Sequence, residues 1–152
     1  MDAIDLAIID ALVSDGRITF SDIASRIGLS GPSTAERVRR LEADGVISGY
    51  SATLSPQTVG ADLAAFVSVT LSGPRARQAF FETVRDEPRV LELHHVAGEG
   101  DYLLKVRCAN TRELEQLVSE RIKGVDGVSQ TRTTVVLSTV FERPLQAHVD
   151  RD

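Results

Sequence analysis

The residues best equipped for chemistry lie in "LSGPSTAERVRRLEADG", residues 29 to 45, where Arg37, Arg39 and Arg40 share one short helical pattern with Ser33 and Thr34. At 100° per residue, Ala35, Val38 and Leu41 centre a buried side, and Ser33, Glu36, Arg37 and Arg40 fall opposite it. A helix start offers free N–H groups to a phosphate, and an arginine further along can grip a guanine edge or a phosphate. This chemistry assigns Ser33, Thr34 and Arg37 to a DNA groove and Arg39 and Arg40 mainly to phosphates, with Ser30 at the helix start. A charged outward face is also commonly no more than a solvated one, and pattern alone does not separate the two.

A second constellation is "GEGDY", Gly98, Glu99, Gly100, Asp101 and Tyr102, between two apolar runs. Its glycines allow a backbone close enough to hydrogen-bond a small molecule, and Asp101 could accept from an ammonium group. The same residues also make an ordinary hairpin turn with a solvated acid. The adjacent His94 and His95 stand next to each other on a strand pattern, which sends their rings to opposite faces and prevents joint metal ligation.

The elements that must carry these groups change character along the chain. Up to about residue 49 the apolar residues recur at helical spacing: Ile4, Ile8, Ala11 and Leu12, then Ile23, Ala24 and Ile27, then Ala35, Val38 and Leu41. "SDGR" at 14 to 17 and "GLSGP" at 28 to 32 mark the stops. Ser21 is expected to cap the second helix, Gly28 to permit the turn, Leu29 to plug the core beneath it, and Ser30 or Gly31 to cap the third helix, with Pro32 in its first turn. This is the bracing helix, tight turn and amphipathic second helix of a helix-turn-helix.

From Ala64 the runs "AAFVSVTL", "RVLELHHVA", "DYLLKVRC" and "VSQTRTTVVLSTV" read as strands, interleaved with helical "RARQAFFETVRDE" and "TRELEQLVSERIKG". Thr111 is the expected N-cap of the latter and Gly124 its stop. The order βαββαβ is the ferredoxin-like arrangement, with two helices on one face of four antiparallel strands. Apolar residues on both sides of so small a sheet suggest that a second copy covers the other face. The expected class is α+β: a helix-turn-helix, winged-helix-like domain over residues 1–49, a hinge over 50–62, and a ferredoxin-like ligand-binding and oligomerisation domain over 63–152.

Bulk properties limit the functions available. A net charge of -5 and a pI near 5.2 argue against coating nucleic acid by general attraction. Residues 1 to 60 hold five arginines, no lysine and eight acids, yet residues 31 to 41 carry three arginines against one acid. With few phosphate contacts per copy, useful binding requires several copies together. The lone Cys108 provides neither a disulfide nor a zinc cluster, which fits a reducing cytoplasm. No metal or cofactor is expected. No stretch has the length and composition of a membrane span or a secretory leader.

"DLAIIDALVSDGRITFSDIASRIGLS", "ERVRRLEADGVISGYSATLSPQTVG", "VAGEGDYLLKV" and "GVSQTRTTVVL" together resemble the Lrp/AsnC, or feast/famine, family of transcriptional regulators, from about Asp5 to Val140. The resemblance implies an N-terminal DNA-binding domain hinged to a ferredoxin-like domain. It also implies homodimers built by sheet pairing, commonly assembled to octamers, and an amino acid or related effector bound between dimers. Position by position, the recognition helix matches Ser33 to Asp44 and its recurrent arginine Arg37. The effector motif matches Gly98, Gly100, Asp101 and Tyr102, with Glu99 among them, and the other wall matches Thr133, Thr134, Val135 and Val136. "SGPSTAER" departs from the family by placing Gly31, Pro32 and Glu36 there, which bears on the operator sequence and leaves the binding mode intact.

Two other function classes compete with a DNA-binding regulator. An enzyme would need a nucleophile, base and orienting group within mutual reach, and Cys108 has no paired histidine nearby in sequence. An amino-acid-sensing oligomer without direct DNA reading is the remaining alternative.

Overall fold

In a computed structural model of the chain, residues 1–147 are described. The chain divides into two compact units: Met1–Thr53, together with the described residues from Phe141 onward, and Leu54–Val140. The sequence boundaries differ, since they close the first domain at 49 and carry the second through 152; residues 148–152 lie outside the described part.

The first unit holds α1 (Ala3–Ser14), α2 (Phe20–Ile27) and α3 (Gly31–Ala43). Asp2 caps α1 in a reciprocal capping box with Asp5, each carboxylate accepting from the other's backbone N–H. Thr19 caps α2 by accepting from the Asp22 N–H. Ser21, expected in that role, lies inside the helix, which begins at Phe20, two residues earlier than that cap would place it. Gly28 ends α2 at φ 72°, in the left-handed region that glycine enters without a side-chain clash. Ser30 then caps α3 by accepting from the Ser33 N–H.

The core of this unit is Ile8, Ile23, Val38 and Leu41, ringed by partly buried Ile4, Ile9, Ala11, Leu12, Ile18, Ile27 and Ile47. Each such side chain, fully buried, contributes about 1.5–3 kcal/mol, so the three short helices hold one another in place where none would persist alone. Leu29 is only half-buried and stands outside this cluster.

The second unit runs β1 (Leu63–Leu71), a 3-10 turn at Pro74–Ala76, α4 (Arg77–Arg85), β2 (Val90–His95), β3 (Tyr102–Cys108), α5 (Thr111–Gln116) with a π-helical continuation Leu117–Ile122, and β4 (Val128–Val135). The sheet is antiparallel in the order β2-β3-β1-β4, which is the expected ferredoxin-like topology. Asn110, not Thr111, caps α5, accepting from the Glu113 N–H. β4 stops at Val135, five residues short of the expected run, although the Val136 N–H still donates to the Ala64 carbonyl at 2.9 Å.

Alternation along the strands separates two faces. Ala65, Val67 and Val69 of β1 and Tyr102, Leu104, Val106 and Cys108 of β3 join Phe80 and Val84 of α4, and Leu114, Leu117 and Ile122, in one core. The opposite face carries Phe66, Leu103, Lys105, Glu92, His94 and Thr134.

Candidate functional site

Helix α3 keeps Val38 and Leu41 of the expected stripe on its buried side and differs in its first turn. Its buried residues are Thr34, Val38 and Leu41, while Ala35 is only half-buried. Thr34 is fully buried and its hydroxyl donates to the Ser30 carbonyl at 3.1 Å, so the expectation that it meets a DNA groove is withdrawn. The physical reason is that threonine covers its polar atom by bonding back one turn, and then packs as an apolar residue. Ser33 is exposed, with its hydroxyl 2.8 Å from that of Ser30.

The arginines are engaged by acids that the sequence reading left out. Arg37 Nη1 lies 2.8 Å from Asp2 Oδ2 and 2.7 Å from Asp5 Oδ1. Arg40 Nη2 lies 3.1 Å from each Asp5 oxygen. Asp5 is only 2% exposed, so its charge is compensated almost entirely by these partners and by the Asp2 N–H. Burial alone would raise its pKa, but the Asp2 N–H and the Arg37 guanidinium outweigh that and hold it below the ordinary carboxylate value. Arg37 is correspondingly raised, first by Asp2 and then by Asp5. Arg39 is exposed, donates to the Ala35 carbonyl and stands 3.5 Å from Glu36. The signal available in sequence was the pair Asp2 and Asp5, spaced three apart at a helix start, which reads as a cap and conceals a second role.

The "GEGDY" loop joins β2 to β3 and folds against the end of β1. The Asp101 N–H donates to the Val69 carbonyl at 2.9 Å, and the Leu71 N–H donates to Asp101 Oδ2 at 2.7 Å. One carboxylate oxygen of Asp101 is thus already committed to the sheet. Ser68 Oγ donates to the Glu99 carbonyl, and the Glu99 carboxylate pairs with Arg132 of β4. Gly100 has φ 83°, and a Cβ there would stand 2.4 Å from Ser68 Oγ. Tyr102 is 3% exposed and packs its ring against Phe80, Phe81 and His95, on the core face.

The expected second wall is not brought to the loop within one chain. Register places Thr133 opposite Val67, Thr134 opposite Phe66 and Val135 opposite Ala65, with Val136 bonded to Ala64, so the run leads away from Val69–Leu71 where the loop sits. Alternation also sends Thr133 and Val135 to one face and Thr134 to the other. Within one chain the loop therefore meets Arg132 and Ser68, neither of which the sequence singled out. A separate cavity of 280 Å³ lies between α4 and β2, lined by Phe81, Val84, Arg85, Val90 and Leu93 among others, and includes none of the expected effector residues. His94 and His95 do face opposite sides: His94 bonds Glu92 at 2.9 Å, whereas the His95 ring lies 5.1 Å from that of Tyr102. Among the described residues, no group of three His, Cys, Asp or Glu could hold a metal ion, and no helix is long and apolar enough to cross a membrane.

A helix-turn-helix unit with a basic second helix, followed by a ferredoxin-like unit whose glycine loop is braced on the sheet, defines a two-domain DNA-binding transcriptional regulator. The chain belongs to the Lrp/AsnC family: residues 1–42 match the AsnC-type helix-turn-helix domain and residues 64–146 the Lrp/AsnC ligand binding domain. It is 40% identical over 144 residues to the proline dehydrogenase transcriptional activator of Rhizobium radiobacter, covering 93% of this chain and 92% of that one. A feast or famine regulatory protein from M. tuberculosis complexed with L-methionine is similar at TM-score 0.83 and 40% identity, over 99% of this chain and 97% of that one. A transcriptional regulator from Neisseria meningitidis in complex with L-Met is similar at TM-score 0.90 and 30% identity, over 94% of each chain.

Proposed function

We propose that this regulator reads operator DNA through the exposed side of α3, with Ser33, Arg37, Arg39 and Arg40 as the contact residues and Ser30 fixing the helix start, and that an amino-acid effector acts through the Gly98–Tyr102 loop. The observation that carries the reading is the combination on α3 of an exposed Ser33 at a capped helix start with arginine forks one and two turns further on. The two similar structures that hold L-methionine support an amino acid as the effector class.

The half-covered outer face of the sheet, with Phe66 38% exposed, supports a homodimer formed by sheet pairing. Dimers assembled to an octamer would place the loop and the β4 residues Thr133, Thr134, Val135 and Val136 of different copies around one ligand, which answers their separation within one chain. Effector binding then changes the assembly or the spacing of the DNA-binding domains, and linkage makes DNA and effector alter each other's affinity. The protein acts in the cytoplasm, and not as an enzyme: Cys108 is 2% exposed, and burial pushes its thiol pKa up, away from the reactive thiolate.

Two measurements test this. Fluorescence anisotropy on duplexes from a randomised pool should select a preferred sequence whose affinity falls steeply with salt. A thermal-shift screen of amino acids, begun with L-methionine, should find one that raises the melting temperature and changes either oligomer mass or DNA affinity. Binding without sequence preference, or no amino acid with either effect, would refute the corresponding half.

A further inference from the structure

We propose that Asp5, assisted by Asp2, is the positioning residue of the DNA-reading surface, holding the Arg37 and Arg40 guanidinium groups in one arrangement and cancelling their charge toward non-specific phosphate. The inference rests on the reading of α3 as the DNA-contacting helix and names what sets its selectivity.

Four hydrogen bonds tie the two arginines to the two acids, at 2.8 and 2.7 Å from Arg37 and 3.1 Å twice from Arg40. The anchor is itself fixed. Asp5 is buried, its Oδ2 accepts from the Asp2 N–H at 3.1 Å, and its own N–H donates to Asp2 Oδ1 at 2.8 Å. Long arginine side chains otherwise lose much rotamer freedom on docking, and a site that restrains them beforehand lowers that cost.

The charge consequence follows from the same contacts. Arg37 and Arg40 carry +2, Asp2 and Asp5 carry -2, and the cluster is neutral. Arg39, beside Glu36, is the remaining cation of α3. Phosphate attraction is the sequence-independent part of DNA affinity, whereas base-edge contacts supply the sequence-dependent part. A guanidinium has five N–H donors, and the acids engage those of one nitrogen on each arginine. The arrangement suppresses the first contribution and keeps donors for the second.

The test uses the full chain, as wild type, Asp5→Asn and Asp2→Ser, on a duplex selected by the wild type from a randomised pool and on a scrambled duplex of the same composition. Asp2→Ser retains an N-cap hydroxyl for the Asp5 N–H, so it folds even where Asp5→Asn does not. Asp5→Asn should bind the scrambled duplex more tightly and the selected one more weakly, lowering their affinity ratio by about tenfold. Its log-affinity against log-salt slope on the scrambled duplex should steepen by about 0.9, one additional phosphate contact. Asp2→Ser should move both readouts the same way by less. A merely structural role reduces the folded fraction and scales both affinities equally. An unchanged ratio and slope in both variants, with a selective wild type, overturns the role of Asp5 and leaves DNA reading standing. A wild type that shows no sequence preference overturns the DNA-reading assignment and this inference with it.

Discussion

Arg37 and Asp5 lie 32 positions apart in sequence, and their charged groups meet at 2.7 Å, joining the first turn of the first helix to the middle of the third. Asp5 is buried and Arg37 about one-quarter exposed, so the contact is part of the fold of the helix-turn-helix unit as well as of the reading surface proposed for it. Arg40 meets the same carboxylate from a more exposed position.

The two arginines should therefore differ when removed. Arg37→Ala takes two hydrogen bonds from the acids and should destabilise the first unit more than Arg40→Ala does, while also weakening DNA binding. Arg40→Ala should weaken DNA binding with a stability loss below about 1 kcal/mol, because its side chain is half in solvent. Urea denaturation followed by anisotropy separates the two effects; equal stability losses would contradict the assignment of Arg37 as the inner partner.

Thr34→Val should leave DNA affinity unchanged. The side chain is fully buried, and its one hydrogen bond runs to the Ser30 carbonyl, which also accepts the Thr34 N–H. The expected stability change is about 1 kcal/mol or less. A large affinity loss in a stably folded Thr34→Val protein would restore the groove contact that the sequence suggested.

Gly100→Ala should disturb the effector loop. The left-handed backbone at φ 83° costs a non-glycine residue about 1–2 kcal/mol, and the new Cβ would crowd Ser68 Oγ and the Val69 carbonyl. The expected outcome is a lower melting temperature and loss of the amino-acid-induced shift in the thermal screen, with DNA binding in the absence of effector retained.

The second unit should lose stability in acid through Glu87. Its carboxylate is buried and accepts from Arg89 Nε at 2.7 Å and Nη2 at 2.8 Å. The Arg89 hydrogen bonds hold its pKa below the ordinary 4.5. Because the folded value is the lower one, the stabilisation is complete above about pH 4.5 and disappears as pH falls through the folded value. Glu87→Gln should be less stable than wild type at pH 7 by about 1–3 kcal/mol, with the gap closing at a pH below the folded value. Denaturation curves at the two pH values measure this directly, and a gap that persists in acid would exclude the ion pair as its cause.

Phe66→Glu should shift the oligomer toward monomer. Phe66 stands in the middle of the outer sheet face, and a buried unpaired carboxylate in a sheet-to-sheet contact is strongly unfavourable. Light scattering should report the smaller mass with the monomer's secondary structure intact. An unchanged mass would move the dimer contact elsewhere.

Much of the architecture was legible because it rests on local periodicity. The helical spacing of Ile4, Ile8, Ala11 and Leu12, and the β-branched runs from Ala64, prefigured three helices and the βαββαβ order that the sheet confirms. Gly28 and Ser30 likewise act where turn and cap chemistry placed them. Less legible were the element ends. β4 ends short of the strand-forming run "VLSTV" because strand length depends on a neighbour: with Ala65 opposite Val135 and β1 beginning at Leu63, β1 offers no partner to Ser138 and the residues after it.

The sequence by itself determined the two-domain order and the position of the basic helix, since apolar period, turn residues and short-range caps are all properties of nearby positions, and its motif runs carried the family resemblance. Tertiary structure decided what the basic helix presents. The buried side of α3 takes in Thr34 ahead of Ala35 while keeping Val38 and Leu41, and the approach of α1 to α3 joined Asp2 and Asp5 to Arg37 and Arg40. Charge counted along a chain adds every residue equally, but charge at a surface depends on which opposite charges fold within a few ångströms of it. That is why a stretch reading as locally +2 emerges as a largely neutral surface.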